Sequence, residues 1–334
     1  MPRDKSKEVV FVTGGAGYIG SHVCKALAEE GYHPVVYDNM VQGHTYALKW
    51  GDHVVGDICD KTVLSEALNR YEPIAVIHFA ALSLVGSSMV NPDKYYWNNV
   101  AGTMTILDAM RDVGINTIVF SSSAAVYGVP DIVPIQESAP IKPINPYGRT
   151  KAFMEDIISD YSSAFGLNWS ALRYFNAAGA ASSSAGIGED HSPETHLIPL
   201  ILDVAAQVRP RAKIFGDDYE TPDGTCVRDY VHVLDLADAH VLAMQGLMSG
   251  MSSGPVNLGV GRGFSVMEVI ETVRLVTGAE IKVEICERRP GDPPVLVADV
   301  SLAGERLGWK TKRPALSQMV EDAWTWHQKL RSVN

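Results

Sequence analysis

Short apolar, β-branched runs alternate with amphipathic stretches through the first half of the chain. A strand covered on both faces needs such an unbroken apolar run. Alternation of these runs with helical periodicity predicts βαβ units on a parallel sheet. Val9 to Val12, Pro34 to Tyr37, His53 to Val55, Ala75 to Phe79, Thr117 to Ser121 and Trp169 to Arg173 read as strands. Between them, Ile19 to Glu30, Lys61 to Arg70, Asn99 to Val113 and Pro146 to Phe165 read as helices, with Gly31, Gly114 and Gly166 as C-terminal stops. The expected fold class is α/β: a doubly wound parallel sheet of the Rossmann type.

After Asn176 the texture changes. Residues 177–184 form a run of small side chains and residues 186–194 are polar, followed by mixed short elements. The small-residue run reads equally as a flexible linker or as a loop at a ligand site. The domains expected are therefore 1–176 and a smaller mixed α/β unit at 177–334, with the chain free to cross between them.

The 334 residues suffice for one large domain or two fused ones, and 46% hydrophobic with 20% charged residues describes an ordinary globular chain. Twenty-eight Lys and Arg stand against 39 Asp and Glu, a net charge of −11, which argues against general attraction to nucleic acid or anionic lipid. Any anionic ligand then needs locally placed cations. Cys24, Cys59, Cys226 and Cys286 lie far apart, with no C-x-x-C or zinc spacing, so free thiols are expected and no metal site is. The charged N-terminus runs into the first strand without a signal-peptide core, and no apolar run reaches the ~18 residues of a membrane span. These features point to a cytoplasmic protein.

The first strand leads into Thr13-Gly14-Gly15-Ala16-Gly17-Tyr18-Ile19-Gly20 and then a helix. Glycines 15, 17 and 20 satisfy G-x-G-x-x-G, while 14, 17 and 20 satisfy G-x-x-G-x-x-G. Either set lets backbone N–H groups and a helix N-terminus approach a pyrophosphate. Asp38 closes the second strand, 18 residues past Gly20. A carboxylate there accepts both hydroxyls of an adenosine ribose and repels a 2′-phosphate, which favours NAD over NADP. Asp57 and Ile58, at the next strand end, read as adenine contacts or as a solvated loop.

Asn145 is placed to cap a helix begun by Pro146, which puts Tyr147 and Lys151, at i and i+4, on one face. A tyrosine of pKa ~10 is ionised to only about 0.1% at neutral pH, so base catalysis needs roughly three pKa units of depression, near 4 kcal/mol. Lys151 and a cationic nicotinamide are candidate sources. Ser121-Ser122-Ser123 end a strand at the sheet edge where such folds bind ligands, and one of these hydroxyls can relay a proton to tyrosine.

This constellation resembles the extended short-chain dehydrogenase/reductase family, and within it the nucleotide-sugar 4-epimerases, over nearly the whole chain. Besides the motifs above, the resemblance rests on Ile77-His78-Phe79-Ala80-Ala81, Asn98-Asn99, Ser121 to Gly128, Leu172 to Asn176, Gly224 to His232 and Arg288-Arg289-Pro290-Gly291-Asp292. It implies NAD-dependent interconversion of UDP-galactose and UDP-glucose through oxidation at C4, with another UDP-sugar epimerisation or a 4,6-dehydration as alternatives. By resemblance, Tyr147 is the base, Ser123 its relay and Lys151 the cation that holds the ribose and lowers the tyrosine pKa. Gly14, Gly17, Tyr18, Ile19, Gly20, Asp38, Asn39, Asp57, Ile58, Phe79, Ala80, Ala81, Asn98, Ser121 and Tyr174 would join them around NAD. Asn176, Arg228 and Arg289 would hold the UDP phosphates and Asp292 the uridine ribose, with Phe175, His196, Leu197, Phe215, Tyr230 and Leu296 completing the substrate pocket. A familiar bacterial form has Lys, Thr, Asn and Tyr where this chain has Ser83, Ala125, His196 and Leu296; the last two bear on sugar range. A homodimer is the family's habit. A dehydratase would carry an acidic pair after Ser123, where this chain has Ala124 and Ala125.

Overall fold

The computed structural model describes residues 6–289 and 291–333; Pro290 of the Arg288 to Asp292 motif and the first five residues lie outside them. Six strands of the first half, β1 (Val9–Thr13), β2 (His33–Asp38), β3 (Asp52–Val55), β4 (Ala75–His78), β5 (Thr117–Ser123) and β6 (Asn168–Tyr174), pair in parallel in the order β3-β2-β1-β4-β5-β6. The order reverses between β1 and β4, and at such a switch point the loops diverge to leave a crevice beyond the strand C-termini. All six expected strands are present, within one or two residues of the expected ends.

The sheet is covered on both faces, which explains why its strands read as apolar runs rather than alternations. One core joins Val10, Val12, Val23, Leu27 and Val36. The other joins Val9, Phe11, Val35, Leu64, Ile106 and Ile158. The covering helices are α1 (Tyr18–Glu29), α2 (Lys61–Tyr71), the short α3 (Val85–Val90) and α4 (Pro92–Tyr95), α5 (Gly102–Val113) and α6 (Pro146–Phe165). The helix expected from Asn99 begins differently: Tyr96–Ala101 form a π-helical turn, and α5 proper starts at Gly102. Asn99 accounts for this local geometry, since its fully buried amide donates to Leu82 O and Thr150 Oγ1, both at 3.0 Å. Asn145 caps α6 by accepting from Gly148 N at 2.8 Å, and Gly114 and Gly166 end α5 and α6 in the left-handed conformation.

Beyond residue 176 come β7 (Asn176–Ala178), α7 (Leu197–Ala205), β8 (Ala212–Phe215), β9 (Val227–His232), α8 (Val233–Met248), β10 (Gly254–Leu258), β11 (Gly263–Ser265), α9 (Val266–Thr277), β12 (Val283–Cys286), β13 (Val295–Leu296), α10 (Ser301–Leu307) and α11 (Leu316–Val333). A cut at 176/177 does not describe their layering. β10 pairs in parallel with β6 as the seventh strand of the first sheet, and α8 contributes Leu236, Ala239 and Met244 to the same core as α1. The apolar residues of 233–258 thus complete a face that the first 176 residues leave uncovered. The remaining strands form a small mixed sheet around β9 and a β8–β12 pair, with a separate core of Ile201, Ile214, Val269 and Met319.

Candidate active site

A cleft of about 1470 Å³ runs from the C-terminal ends of β1 and β2, past β5 and α6, to the small sheet. All the sequence-derived site residues named above line it except Asp57. The Asp57 carboxylate turns instead to Cys59 N (2.8 Å) and Asn39 Nδ2 (3.1 Å), so it shapes the loop behind Ile58.

At the cofactor end the backbone decides the geometry. Gly14 has φ +72°, and a Cβ there would sit 2.6 Å from Ala80 N; a Cβ on Gly20 would sit 2.3 Å from Gly14 O. Gly17 differs, because its nearest obstruction is at 3.4 Å. Gly14 and Gly20 are therefore bare so that strand, loop and helix can pack. Gly17, at the N-cap of α1, leaves open space before the unpaired amides of the helix N-terminus. Asp38, only 8% exposed, accepts from Ala16 N (3.1 Å) and Met40 N (2.9 Å). Burial raises its pKa, while those two amides and nearby His44 oppose the shift. It fastens the glycine loop as well as facing the cleft, a role that spacing alone does not reveal. This cradle, with Ile58, Phe79, Ala80 and Ala81 along its walls, fits a dinucleotide with a free ribose diol.

The reaction centre lies where β5 meets α6. Tyr147 is hydrogen-bonded to Ser123, which pulls its pKa down, but burial is the stronger influence and holds it above the usual phenol value. Lys151 is 2% exposed, donates to Ser121 O at 2.7 Å, and lies 4.9 Å from the Phe120 ring centroid and 5.9 Å from that of Tyr147. Burial brings its pKa down to about 7, opposed by Glu155. Ser121 and Tyr174 share a hydroxyl–hydroxyl contact. His78, beneath this wall, bonds Thr13 Oγ1 (2.7 Å) and Thr103 Oγ1 (3.1 Å) and stays neutral, its pKa lowered to about 3 by burial.

At the far end side chains decide the geometry. Arg228 donates to Asp292 Oδ1 at 2.5 Å, and the Arg289 guanidinium lies 3.9 Å from the Phe215 ring centroid. Asn176 donates to Asp229 O at 3.0 Å, and Tyr230 and Leu296 lie on β9 and β13. His196 lies exposed just before α7 and holds Glu194 Oε1 at 2.7 Å; against partial desolvation, this contact and Glu189 lift its pKa to about 9. Glu189, His191 and His196 bring ligand-type atoms within 4.8 Å of one another, a convergence that the lack of metal spacing in the sequence concealed. His191 pairs with Glu189, which raises its pKa against the effect of burial.

A parallel sheet with a glycine loop at its switch point, and a Ser–Tyr–Lys group one strand away, defines a dinucleotide-dependent enzyme that moves a proton and a hydride at a carbinol. Residues 10–259 match the NAD dependent epimerase/dehydratase family, and the chain belongs to it. It is 52% identical to UDP-glucose 4-epimerase of Halalkalibacterium halodurans over 320 residues, 96% of each chain. The UDP-glucose 4-epimerase from Brucella ovis, solved in complex with NAD, superposes with a TM-score of 0.93 at 51% identity, covering 95% of this chain and 97% of that one. The Stenotrophomonas maltophila enzyme, solved with NAD and a formylated UDP-arabinopyranose, gives 0.94 at 41% identity, covering 98% and 100%.

Proposed function

We propose that the protein interconverts UDP-galactose and UDP-glucose by transient oxidation at sugar C4, with NAD retained through the cycle. The reading rests above all on one cleft in which a dinucleotide cradle and an arginine-bearing wall flank Ser123, Tyr147 and Lys151. The relatives named UDP-glucose 4-epimerases support the sugar nucleotide. NAD seated on the glycine loop supplies the hydride acceptor. Tyr147 takes the O4 proton, Ser123 hands it on between sugar and phenol, and Lys151 offsets the phenolate charge. Arg228 and Arg289 hold the diphosphate, since guanidinium forks match its oxygens, with Asn176 beside them. A firm nucleotide grip and a loose sugar grip let the 4-keto sugar turn over between the two hydride transfers. Ala124 and Ala125 in place of an acidic pair speak against dehydration.

The cofactor domain comprises residues 6–176 with 233–258 and the substrate domain the remainder, supported by the place of β10 in the first sheet. The protein is a homodimer, supported by the exposed apolar side chains Trp97, Met104, Phe153 and Phe165 around α5 and α6. Among the described residues all four cysteines are free thiols and no helix is long and apolar enough to cross a membrane; the thiols suit the cytoplasm. Purified protein given UDP-galactose and no added nucleotide should form UDP-glucose, and denaturation should release NAD. Recovery of mainly NADP, or full activity in verified nucleotide-free protein, would contradict the reading.

A further inference from the structure

Behind the reaction centre lies a buried charge network that the catalytic steps above do not use. Glu155 stands one turn after Lys151 on α6, and Arg173 stands just before Tyr174 on β6; they are 6% and 4% exposed. Arg173 Nε donates to both carboxylate oxygens of Glu155, at 3.0 and 3.2 Å. Ser122, whose side chain is fully buried on the opposite face of β5 from Ser121 and Ser123, donates to the same carboxylate. Arg173 Nη1 goes on to Tyr127 OH (2.9 Å) and Glu137 O (3.1 Å), and Tyr127 donates to Asn257 Oδ1 on β10 (2.7 Å). Asn257 N in turn donates to Glu137 Oε1 at 2.8 Å. One carboxylate therefore ties the strand carrying Ser121 and Ser123, the helix carrying Tyr147 and Lys151, and the strand carrying Tyr174.

We propose that Glu155 and Arg173 form a positioning pair that fixes Lys151 and its charge against Tyr147, so that the pair governs turnover without touching the substrate. A buried ion pair is a weak device for stability alone, because desolvating both charges offsets most of their attraction, and an apolar pair of similar size often serves as well. Here the pair also sets the charge around the one lysine of the site. The groups facing Lys151 are Tyr147 and Glu155 on α6, the Ser121 carbonyl and Phe120 ring on β5, and His78 on β4; Arg173 and Tyr174 on β6 act one contact further out, through Glu155 and Ser121. His78 is neutral, and Glu155 opposes the burial that lowers the Lys151 pKa.

The proposal rests on the 4-epimerase reading, which wild-type conversion of UDP-galactose establishes or refutes before any variant is made. Glu155→Gln and the double variant Glu155→Met with Arg173→Met are then compared with wild type. The double variant leaves no unpaired buried charge and carries the decision if Glu155→Gln does not fold. Both should retain NAD and keep KM for UDP-galactose within about threefold. Turnover should fall at least tenfold, and the high-pH limb of kcat should move to lower pH as Lys151 loses its proton earlier. An independent readout is the phenolate absorbance near 295 nm, taken as the difference from Tyr147→Phe in the same background: its midpoint should rise in the double variant. A folded double variant with near wild-type kcat, an unmoved pH limb and an unmoved phenolate midpoint would overturn the proposal and leave the pair structural.

Discussion

The two ends of the cleft are built by different means. At the cofactor end, backbone amides, bare glycines and apolar walls set the shape, and Asp38 serves as much to hold the loop as to meet a ligand. At the substrate end, the shape comes from paired side chains, distant in sequence for Arg228 with Asp292 and Arg289 over Phe215, and local for His196 with Glu194 and Glu189. Burial lowers the pKa of His22, His78 and His240, while the rings of His191 and His196 are paired with Glu189 and Glu194. A backbone-built wall is stiff and intolerant of added atoms, while a wall of ion pairs can change its lining and so its ligand.

Acid should separate the two ends first. Burial lowers the pKa of His22 and His78 to about 3 and of His240 to about 4. Unfolded, these rings take up protons below about pH 6.5, so the unfolded state gains protons the native state refuses and stability falls with pH; the three together lose about 4 kcal/mol by pH 5.5. His196 acts in the opposite sense: its contribution is complete below about pH 6.5 and fades as pH rises through about 9. Urea unfolding at pH 7.5, 6.5 and 5.5 measures this, and a flat stability between the last two pH values would refute the neutral histidines.

Gly20→Ala places a Cβ against Gly14 O in the stiff wall. It should destabilise the chain by roughly 1–3 kcal/mol and strip NAD from the purified protein. Thermal unfolding and nucleotide content report both effects, and wild-type values for each would contradict the stiffness argument. Arg228→Met, in the adaptable wall, should spare the fold and NAD content while raising KM for UDP-galactose roughly tenfold or more, the scale of a lost hydrogen bond to a charged group. An unchanged KM would remove Arg228 from phosphate binding. The smallest effect concerns Leu296, a smaller side chain than tyrosine in the lining of the cleft. Wild type should therefore epimerise UDP-N-acetylglucosamine weakly, and Leu296→Tyr should lower that activity relative to UDP-glucose by a few fold. Equal kcat/KM ratios in wild type, Leu296→Tyr and Leu296→Ala would exclude this residue from sugar choice.

The same division explains what could be read from the chain. Glycine spacing, the strand-end position of Asp38 and the i, i+4 placement of Tyr147 and Lys151 are local consequences of βαβ geometry, so they were legible with the sheet itself. The return of β10 to that sheet was not, because the apolar residues of 254–258 look alike whichever sheet they join. The π-helical turn before α5 depends on Asn99 reaching Thr150, 51 residues away. Glu155 and Arg173 left only a faint trace: a carboxylate one turn beyond Lys151 and an arginine inside an otherwise apolar strand. Asp57, whose strand-end place left an adenine contact or a loop role open, accepts from Cys59 N and from the Asn39 amide.

In this enzyme oxidation and reduction are proposed to occur at the same sugar carbon inside one cleft. UDP-galactose deuterated at C4, turned over in ordinary water containing free unlabelled NADH, tests it directly by NMR of the product. The UDP-glucose formed should still carry deuterium at C4. Loss of the label to solvent or to the free nucleotide would contradict a closed cycle and, with it, the assignment of function.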